Sequence, residues 1–223
     1  MHAMVRGRKP MPRLLDLYCG AGGAAQGYAD AGWDVVGVDL YPQPNYPFEF
    51  HQANAIEFLA MLDQLNEVWM FDAIHASPPC QRFSTMTKRW ARSNEHPDLI
   101  APTREWLVKL ELPYIIENVV GAPLHNPVLL CGSMFGLPLR RHRLFESNLL
   151  LLRPECDHRS QSRVIGVYGH PGGSSKRDGI TFGSTEEWRA AMGTPWMNAP
   201  EMAEAIPPAY THYLGQQLYA ALG

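Results

Sequence analysis

An α/β fold built on a mostly parallel sheet is what this sequence predicts. Three observations predict it: an early strand that runs into a glycine-rich turn and a helix, further short apolar runs that end in acidic or turn residues, and helical spacing between those runs. Arg13 to Tyr18 (RLLDLY) ends at Cys19-Gly20-Ala21-Gly22-Gly23, and small residues then lead to Ala29 and Ala31. Val35 to Asp39 (VVGVD) reads as a second buried strand, closed by the proline-rich stretch Tyr41 to Pro47. Ile56 to Leu62 (IEFLAML) has helical spacing, and Phe71 to Ala76 (FDAIHA) returns to strand before Pro78-Pro79. A helix around Leu99 to Leu110 and a strand at Tyr114 to Glu117 (YIIE) continue the alternation. Strands separated by helices are joined by crossovers that return the chain in the same direction, hence the parallel sheet.

After Arg143-Leu144-Phe145 the periodicity fades. Residues 154–183 are rich in Gly, Ser, His and Arg and read as an irregular lobe, too short and polar for a core of its own. Order resumes at Glu186 to Met192, and Pro207-Pro208 opens a last helix with Tyr210, Tyr213, Leu214 and Leu218 on one stripe. The expected layout is a core of residues 1–146 and 187–223 interrupted by a short lobe at 147–186.

The 223 residues are 46% hydrophobic and 18% charged, and no apolar run approaches the roughly 20 residues of a membrane span. Disorder and membrane insertion are therefore excluded as classes. The first twelve residues are basic and lack the apolar stretch of a secretory signal, which points to the cytoplasm. Four cysteines, Cys19, Cys80, Cys131 and Cys156, are too few and scattered for a disulfide framework, so one of them is available as a catalyst. Net charge is -3, but between Arg140 and Arg177 eight Lys or Arg stand against three acids. A local basic surface of that kind suits a polyanion.

Four segments carry chemistry. Gly20, Gly22 and Gly23 let the backbone approach a ligand, and Asp39, ending the next strand, can accept hydrogen bonds from ribose hydroxyls. Ser77-Pro78-Pro79-Cys80-Gln81 places a thiol at the carboxyl end of a predicted buried strand, where open α/β sheets hold their ligands. Such a thiol becomes useful where nearby cations or helix N-termini favour the thiolate. Glu117-Asn118-Val119 follows Tyr114-Ile115-Ile116, so its carboxyl emerges on the same edge, where burial would let it keep a proton near neutral pH. In Arg140-Arg141-His142-Arg143 an extended chain puts Arg141 and Arg143 on one face, able to grip a phosphate or an anionic intermediate.

Taken in order, Asp16 to Gly23 with Gly27 and Ala31-Gly32, then Pro78-Pro79-Cys80-Gln81, then Glu117-Asn118-Val119, then Arg141-x-Arg143, resemble the ordered motifs of the DNA cytosine-5 methyltransferases. Ile206-Pro207-Pro208 and the helix after it resemble that family's final motif, which packs beside the first. The resemblance implies a Rossmann-like S-adenosylmethionine-dependent methyltransferase core with a mostly parallel sheet and a small irregular lobe. It implies a cofactor site of Asp16, Tyr18, Cys19, Gly20, Ala21, Gly22, Gly23, Asp39, Leu40, Asn54, Ala55 and Pro78. It further implies that a cytosine is flipped out of double-stranded DNA, that Cys80 adds to its carbon 6, that Glu117 serves ring nitrogen 3, and that Arg141 and Arg143 position the base and its phosphate. Gln81, Arg82, Ser84, Lys88, Arg89 and Arg92, in the segment that closes over DNA in the family, and Arg163 in the lobe are the expected nucleic-acid contacts.

The chain departs from the family pattern at Asn54, where an Asp is usual, at Leu139, where a Gln opens the arginine motif, and at Ala203-Glu204-Ala205, where a Gly-Asn pair is expected. The lobe is much shorter than the family's target-recognition region, which implies a short or relaxed recognition sequence, or a protein partner that supplies recognition. Two other readings stay open: cytosine-5 methylation of RNA or a free nucleotide, and a catalytically silent regulator that binds cofactor and DNA. A zinc site of Cys156, His158, His170 and Cys131 is set aside, because Cys156-x-His158 is closer than the usual ligand spacing; no metal is expected.

Overall fold

The computed structural model describes residues 11–79, 98–169, 171–172 and 179–222. Strands β1 (Arg13–Leu17), β2 (Asp34–Asp39), β3 (Glu49–Gln52), β4 (Ala73–Ala76), β5 (Tyr114–Val119), β6 (Val128–Leu130) and β7 (Arg143–Ser147) form one sheet in the order β3-β2-β1-β4-β5-β7-β6. The first five pair in parallel, while β7 lies antiparallel between β5 and β6. β8 (Val164–Ile165) and β9 (Ile180–Thr181) make a separate parallel pair. The mostly parallel sheet is as expected. β3 and β6, short strands at the sheet's two edges, were not legible, because only one side of an edge strand is paired and their sequences carry no long apolar run.

Two layers of helix cover the sheet, and the alternation of side chains along each strand explains both. Leu15 and Leu17 of β1, Val36 and Val38 of β2, Ile74 of β4 and Ile116 of β5 point to one face, where they meet Leu59 and Leu62 of helix α2 (Ala55–Gln64) and Leu107 of α3 (Ile100–Leu110). Leu14, Val35, Ala73, Ile115 and Phe145 point to the other. There they pack on Tyr28 of α1 (Gly23–Asp30) and on Tyr210, Leu214 and Leu218 of the C-terminal helix, Pro208–Ala221. Because both faces are covered, the strands read as continuous apolar runs. The segment 185–204 holds two more helices, α4 (Thr185–Met192) and α5 (Ala199–Glu204), so the C-terminal helix is α6. Both α4 and α5 start at capping boxes, Ser184 with Glu187 and Asn198 with Glu201.

A third apolar cluster joins Ile165 and Val167 of the lobe to Trp188 and Met192 of α4, Met197 and Met202. The composition of 154–183 does not foreshadow it, since only Ile165 and Val167 of its buried members lie in that stretch. Among the described residues, no helix is long and apolar enough to cross a membrane.

Helices α1 and α6 touch backbone to backbone. A Cβ on Gly27 would lie 2.0 Å from the Pro208 carbonyl oxygen and 2.2 Å from Thr211 Oγ1, and one on Gly23 would lie 2.5 Å from the Ile206 carbonyl oxygen. Thr211 uses that closeness to donate its hydroxyl to the Ala24 carbonyl. The final motif thus packs beside the first, as the resemblance implies. We expect Gly27→Ala to force the two helices apart and to cost about 3 kcal/mol, read as a lowered urea midpoint with an unchanged slope.

Candidate functional site

One face of the sheet changes from apolar to polar toward the carboxyl ends of its strands. Register puts Asp16 beside His75 and, two residues earlier, Leu14 beside Ala73; Ile115 lies beside His75 and Glu117 opposite Phe145. Stepping two residues along each strand therefore leads from Leu14 to Asp16, from Ala73 to His75 and Ser77, from Ile115 to Glu117, and from Phe145 to Arg143. The apolar halves sit under α1 and α6, and the polar halves gather in one patch.

Glu117 stands inside β5 rather than past its end, since the strand runs on to Val119. Arg143 pairs with Val119, one step diagonally from Glu117 on the same face, and its Nε lies 3.0 Å from Glu117 Oε1. The approach is off-axis, because that oxygen accepts no aligned hydrogen bond among the described residues. Burial pushes the Glu117 carboxyl up. The Arg143 charge, a hydrogen bond from Ser77 and the Arg141 charge all oppose it, and burial prevails. A second buried pair braces β7: Arg104 of α3 donates to both oxygens of Glu146 at 2.6 and 2.7 Å, and the His125 N–H donates to Oε2 at 2.7 Å.

Behind Glu117 runs a chain of buried polar groups that the sequence pattern does not reveal. Tyr28 Oη is 2.9 Å from His75 Nδ1, and His75 Nε2 is 2.9 Å from Ser77 Oγ. Burial pushes His75 down to about 3, so it is neutral and one ring nitrogen donates while the other accepts. With the Ser77 hydroxyl donating to Glu117, Ser77 Oγ accepts from Nε2–H and Nδ1 accepts from Tyr28. A histidine embedded in the apolar strand FDAIHA was the signal available. Asn118 makes two further bonds. Its Nδ2 donates to the Pro78 carbonyl at 3.0 Å, and its Oδ1 accepts from the Val119 N–H. It ties the end of β5 to the Pro78-Pro79 segment that leads into Cys80. Cys80 itself, with Gln81, Arg82, Ser84, Lys88, Arg89 and Arg92, lies outside the described residues.

The residues expected to hold a cofactor gather at the carboxyl ends of β1 and β2. Tyr18, Gly20 and Gly22 all have positive φ (58°, 50° and 84°), so the turn coils tightly under the N-terminus of α1. The Gly20 N–H donates to Asp39 Oδ2 at 3.0 Å and the Tyr41 N–H to Oδ1 at 3.0 Å, which orients the carboxylate while leaving each oxygen a further lone pair. Asp16 is fully buried, and neither carboxyl oxygen has a hydrogen-bond partner among the described residues. Burial first and then Asp39 push its carboxyl well up. The Tyr46 hydroxyl beside it is equally unserved, and its ring lies where side chains on Gly22 and Gly37 would be. Unserved buried acceptors next to a coiled glycine turn are what a ligand carrying N–H and O–H donors would satisfy, so the residues present fit one.

Other members of the set have structural roles. Gly23 admits the Ile206 carbonyl rather than a ligand. The Ala21 carbonyl accepts from Trp196 Nε1 at 2.8 Å, and Tyr18 Oη bonds Thr103 Oγ1 at 2.8 Å. Asn54 caps α2, its Oδ1 accepting from the N–H groups of Ile56 and Glu57, which leaves its amide N–H pair for a ligand. Cys19 is buried and its thiol is pushed up, chiefly by burial. Pro78 and Ala55 are buried, whereas Leu40 is exposed.

Arg141 is buried, and its guanidinium donates to the carbonyls of Val167, at 2.7 Å, and Ala203. It clasps the lobe to α5, a role that the expected phosphate grip did not include. Arg163, expected to face nucleic acid, pairs with Glu187 at 2.6 Å.

The model of the C-5 cytosine-specific DNA methylase family matches residues 12–127, just over half of the chain. A curated relative, the type II methyltransferase M.AgeI of Thalassovita gelatinovora, is 28% identical over 123 residues, which are 49% of this chain and 28% of that protein. The chain thus spans under a third of the length of that relative. Among solved structures, a prophage-encoded protein of E. coli, a candidate DNA modification methyltransferase, superposes with a TM-score of 0.63 at 15% identity over 95% of this chain and 99% of its own. The S. pombe Dnmt2 methyltransferase superposes with a TM-score of 0.60 at 13% identity, over 95% and 99%. The likeness in fold runs through the sheet and both helical layers, and the matched segment holds the glycine turn, Pro78-Pro79-Cys80 and Glu117: the chain belongs to the C-5 cytosine-specific DNA methylase family.

Proposed function

We propose that this chain methylates carbon 5 of cytosine in DNA, taking the methyl group from S-adenosylmethionine, with Cys80 as nucleophile and Glu117 as acid. The observation that carries this reading is the buried Glu117 carboxyl, held by Arg143 and Ser77 beside the strand end from which Pro78-Pro79 leads into Cys80. Aromatic carbon 5 of cytosine is a poor nucleophile. Addition of the Cys80 thiolate to carbon 6 turns it into an enamine carbon, while Glu117 donates its proton to nitrogen 3 and so takes up the charge that would otherwise build on the ring. Arg143 orients the carboxyl and faces the base. When bound, S-adenosylmethionine supplies an electrophilic methyl group; Asp39, Asp16 and the turn from Tyr18 to Gly22 would hold it. A base, with water as the available one, then takes the carbon 5 proton, the Cys80 thiolate leaves carbon 6 as the ring double bond re-forms, and nitrogen 3 returns its proton to Glu117.

The target must leave the helix to reach such a site, at a cost of a few kcal/mol. The lobe at 147–186 offers little surface for reading bases, which favours a short or relaxed recognition sequence, or a partner protein that adds contacts. Bisulfite sequencing of duplex DNA treated with the pure protein is expected to show methylated cytosines in a context of few fixed bases. A strictly read site of six base pairs would overturn that expectation.

With 5-fluorocytosine duplex DNA and cofactor, the absent carbon 5 proton is expected to leave the protein covalently attached, seen as a shifted band on a denaturing gel. Cys80→Ala should abolish the adduct, and Glu117→Gln should slow its formation by roughly 100-fold or more while sparing cofactor affinity. Adduct formation on transfer RNA or on free 5-fluorodeoxycytidine monophosphate, but not on duplex DNA, would move the activity to another substrate.

Glu117 acts in its protonated form, so the rate should fall as pH rises through its pKa, which burial raises from the ordinary value. Ser77 holds that pKa down, so Ser77→Ala should move this falling limb of the kcat/KM profile to higher pH. A limb that stays in place would show that Ser77 does not act on Glu117.

A further inference from the structure

Away from the methyl-transfer site, four side chains of the kind that bind soft divalent metals meet where the lobe leaves the sheet. Cys131, His142, Cys156 and His158 each offer one ligand atom, and the four atoms lie within 4.8 Å of one another. Cys156 Sγ is 3.1 Å from His158 Nε2 and 3.7 Å from His142 Nε2, and Cys131 Sγ is 3.3 Å from His158 Nε2. Zinc held tetrahedrally at bond lengths of about 2.3 Å to sulfur and 2.0 Å to nitrogen sets its ligand atoms roughly 3.3 to 3.8 Å apart. The three separations given stand near that spacing, and all four atoms lie within 4.8 Å of one another. Both imidazoles turn the same nitrogen, Nε2, toward the sulfurs, and Ser133 Oγ donates to Cys131 Sγ at 3.3 Å, a hydrogen bond of the kind that steadies a thiolate ligand.

We propose that Cys131, His142, Cys156 and His158 hold a structural zinc ion that pins the root of the lobe to the edge of the sheet. Two thiols and two imidazoles are a donor set that selects zinc over oxygen-seeking cations. The thiols release their protons on binding, and two thiolates then balance the charge of the ion. Cys131 is buried, the two histidines are half-buried and Cys156 is exposed, which leaves the ion a path from solvent.

The spacing that argued against zinc in the sequence has a geometric answer. Residues 151–157 belong to no helix or strand, and although Cys156 and His158 are only two apart, their Sγ and Nε2 atoms come within 3.1 Å. No tight knuckle is needed, because the other ligands come from elsewhere: Cys131 from the extended residue before the 3-10 turn Gly132–Phe135, and His142 from just before β7. His142 lies between Arg141 and Arg143. An ion at this position would hold the segment that presents Arg143 to Glu117, and would brace a lobe with little apolar core of its own.

The test uses the full chain, expressed with zinc in the medium, purified in reductant without chelator and freed of any affinity tag. Elemental analysis by mass spectrometry is expected to find about one zinc per chain. After removal by a strong chelator, added cobalt(II) should give the intense visible absorption of a tetrahedral site together with a sulfur-to-cobalt band in the near ultraviolet. Cys156→Ser, at the exposed ligand, and His142→Asn should each lower bound zinc roughly 10-fold or more, with circular dichroism confirming that both variants fold. Zinc at background level with no cobalt spectrum, zinc retained by both variants, or a Cys131–Cys156 disulfide in the reduced preparation would each overturn the proposal. Metal content is read without methyl transfer, so an inactive protein still decides it.

Discussion

A carboxyl buried beside a guanidinium is the constraint around which this molecule is arranged. Leaving water costs both Glu117 and Arg143, and only close mutual placement with further hydrogen bonds makes that tolerable. The antiparallel pairing of β5 with β7 supplies the placement, since it sets Arg143 one diagonal step from Glu117. Ser77, His75 and Tyr28 supply the hydrogen bonds, and Arg104 with Glu146 keeps β7 against α3. Burial outweighs the opposing groups and raises the carboxyl, which favours the proton-donating form more than in a free glutamate.

The two helices that cover the apolar half of this face lie together by giving up side chains. Gly23 and Gly27 let α1 lie against the segment from Ile206 to His212 at backbone distance, so the final motif closes over the first. Tyr210 joins the same structure, donating its hydroxyl to the Arg141 carbonyl at 2.7 Å. Arg141 in turn clasps Val167 and Ala203. The glycine turn, the arginine segment and the lobe are thereby linked through hydrogen bonds to main-chain atoms, which are insensitive to side-chain identity at the accepting residues. That insensitivity fits the departure at Ala203-Glu204-Ala205, where Arg141 uses the Ala203 carbonyl.

The fold was legible where local pattern and tertiary environment agree. RLLDLY, VVGVD, FDAIHA and YIIE read as buried strands because both faces of the sheet are covered, and the glycine turn read as a ligand-approach turn because glycine takes up positive φ at the least steric cost. Legibility ended at the edges and in the lobe. Apolar members such as Trp188 and Met202 reach Ile165 and Val167 only through the folded arrangement of α4 and α5. Within the site, Glu117 and Arg143 were visible as motif members and Ser77 and Asn118 stood in the same segments without a role, whereas His75 was not visible, since a single polar residue in an apolar strand has no meaning until its neighbours across the sheet are known.

By itself the sequence determined the alternation of strands and helices, the order of the motifs and the residue types able to do the chemistry, because those properties are carried by residues adjacent along the chain. Only the tertiary structure decided which polar groups share a face, that Arg141 faces carbonyls and Arg143 a carboxyl, and that Cys131, His142, Cys156 and His158 converge. The physical reason is that strand register, helix contact and loop path bring together atoms from distant segments, and spacing along the backbone carries no record of those distances.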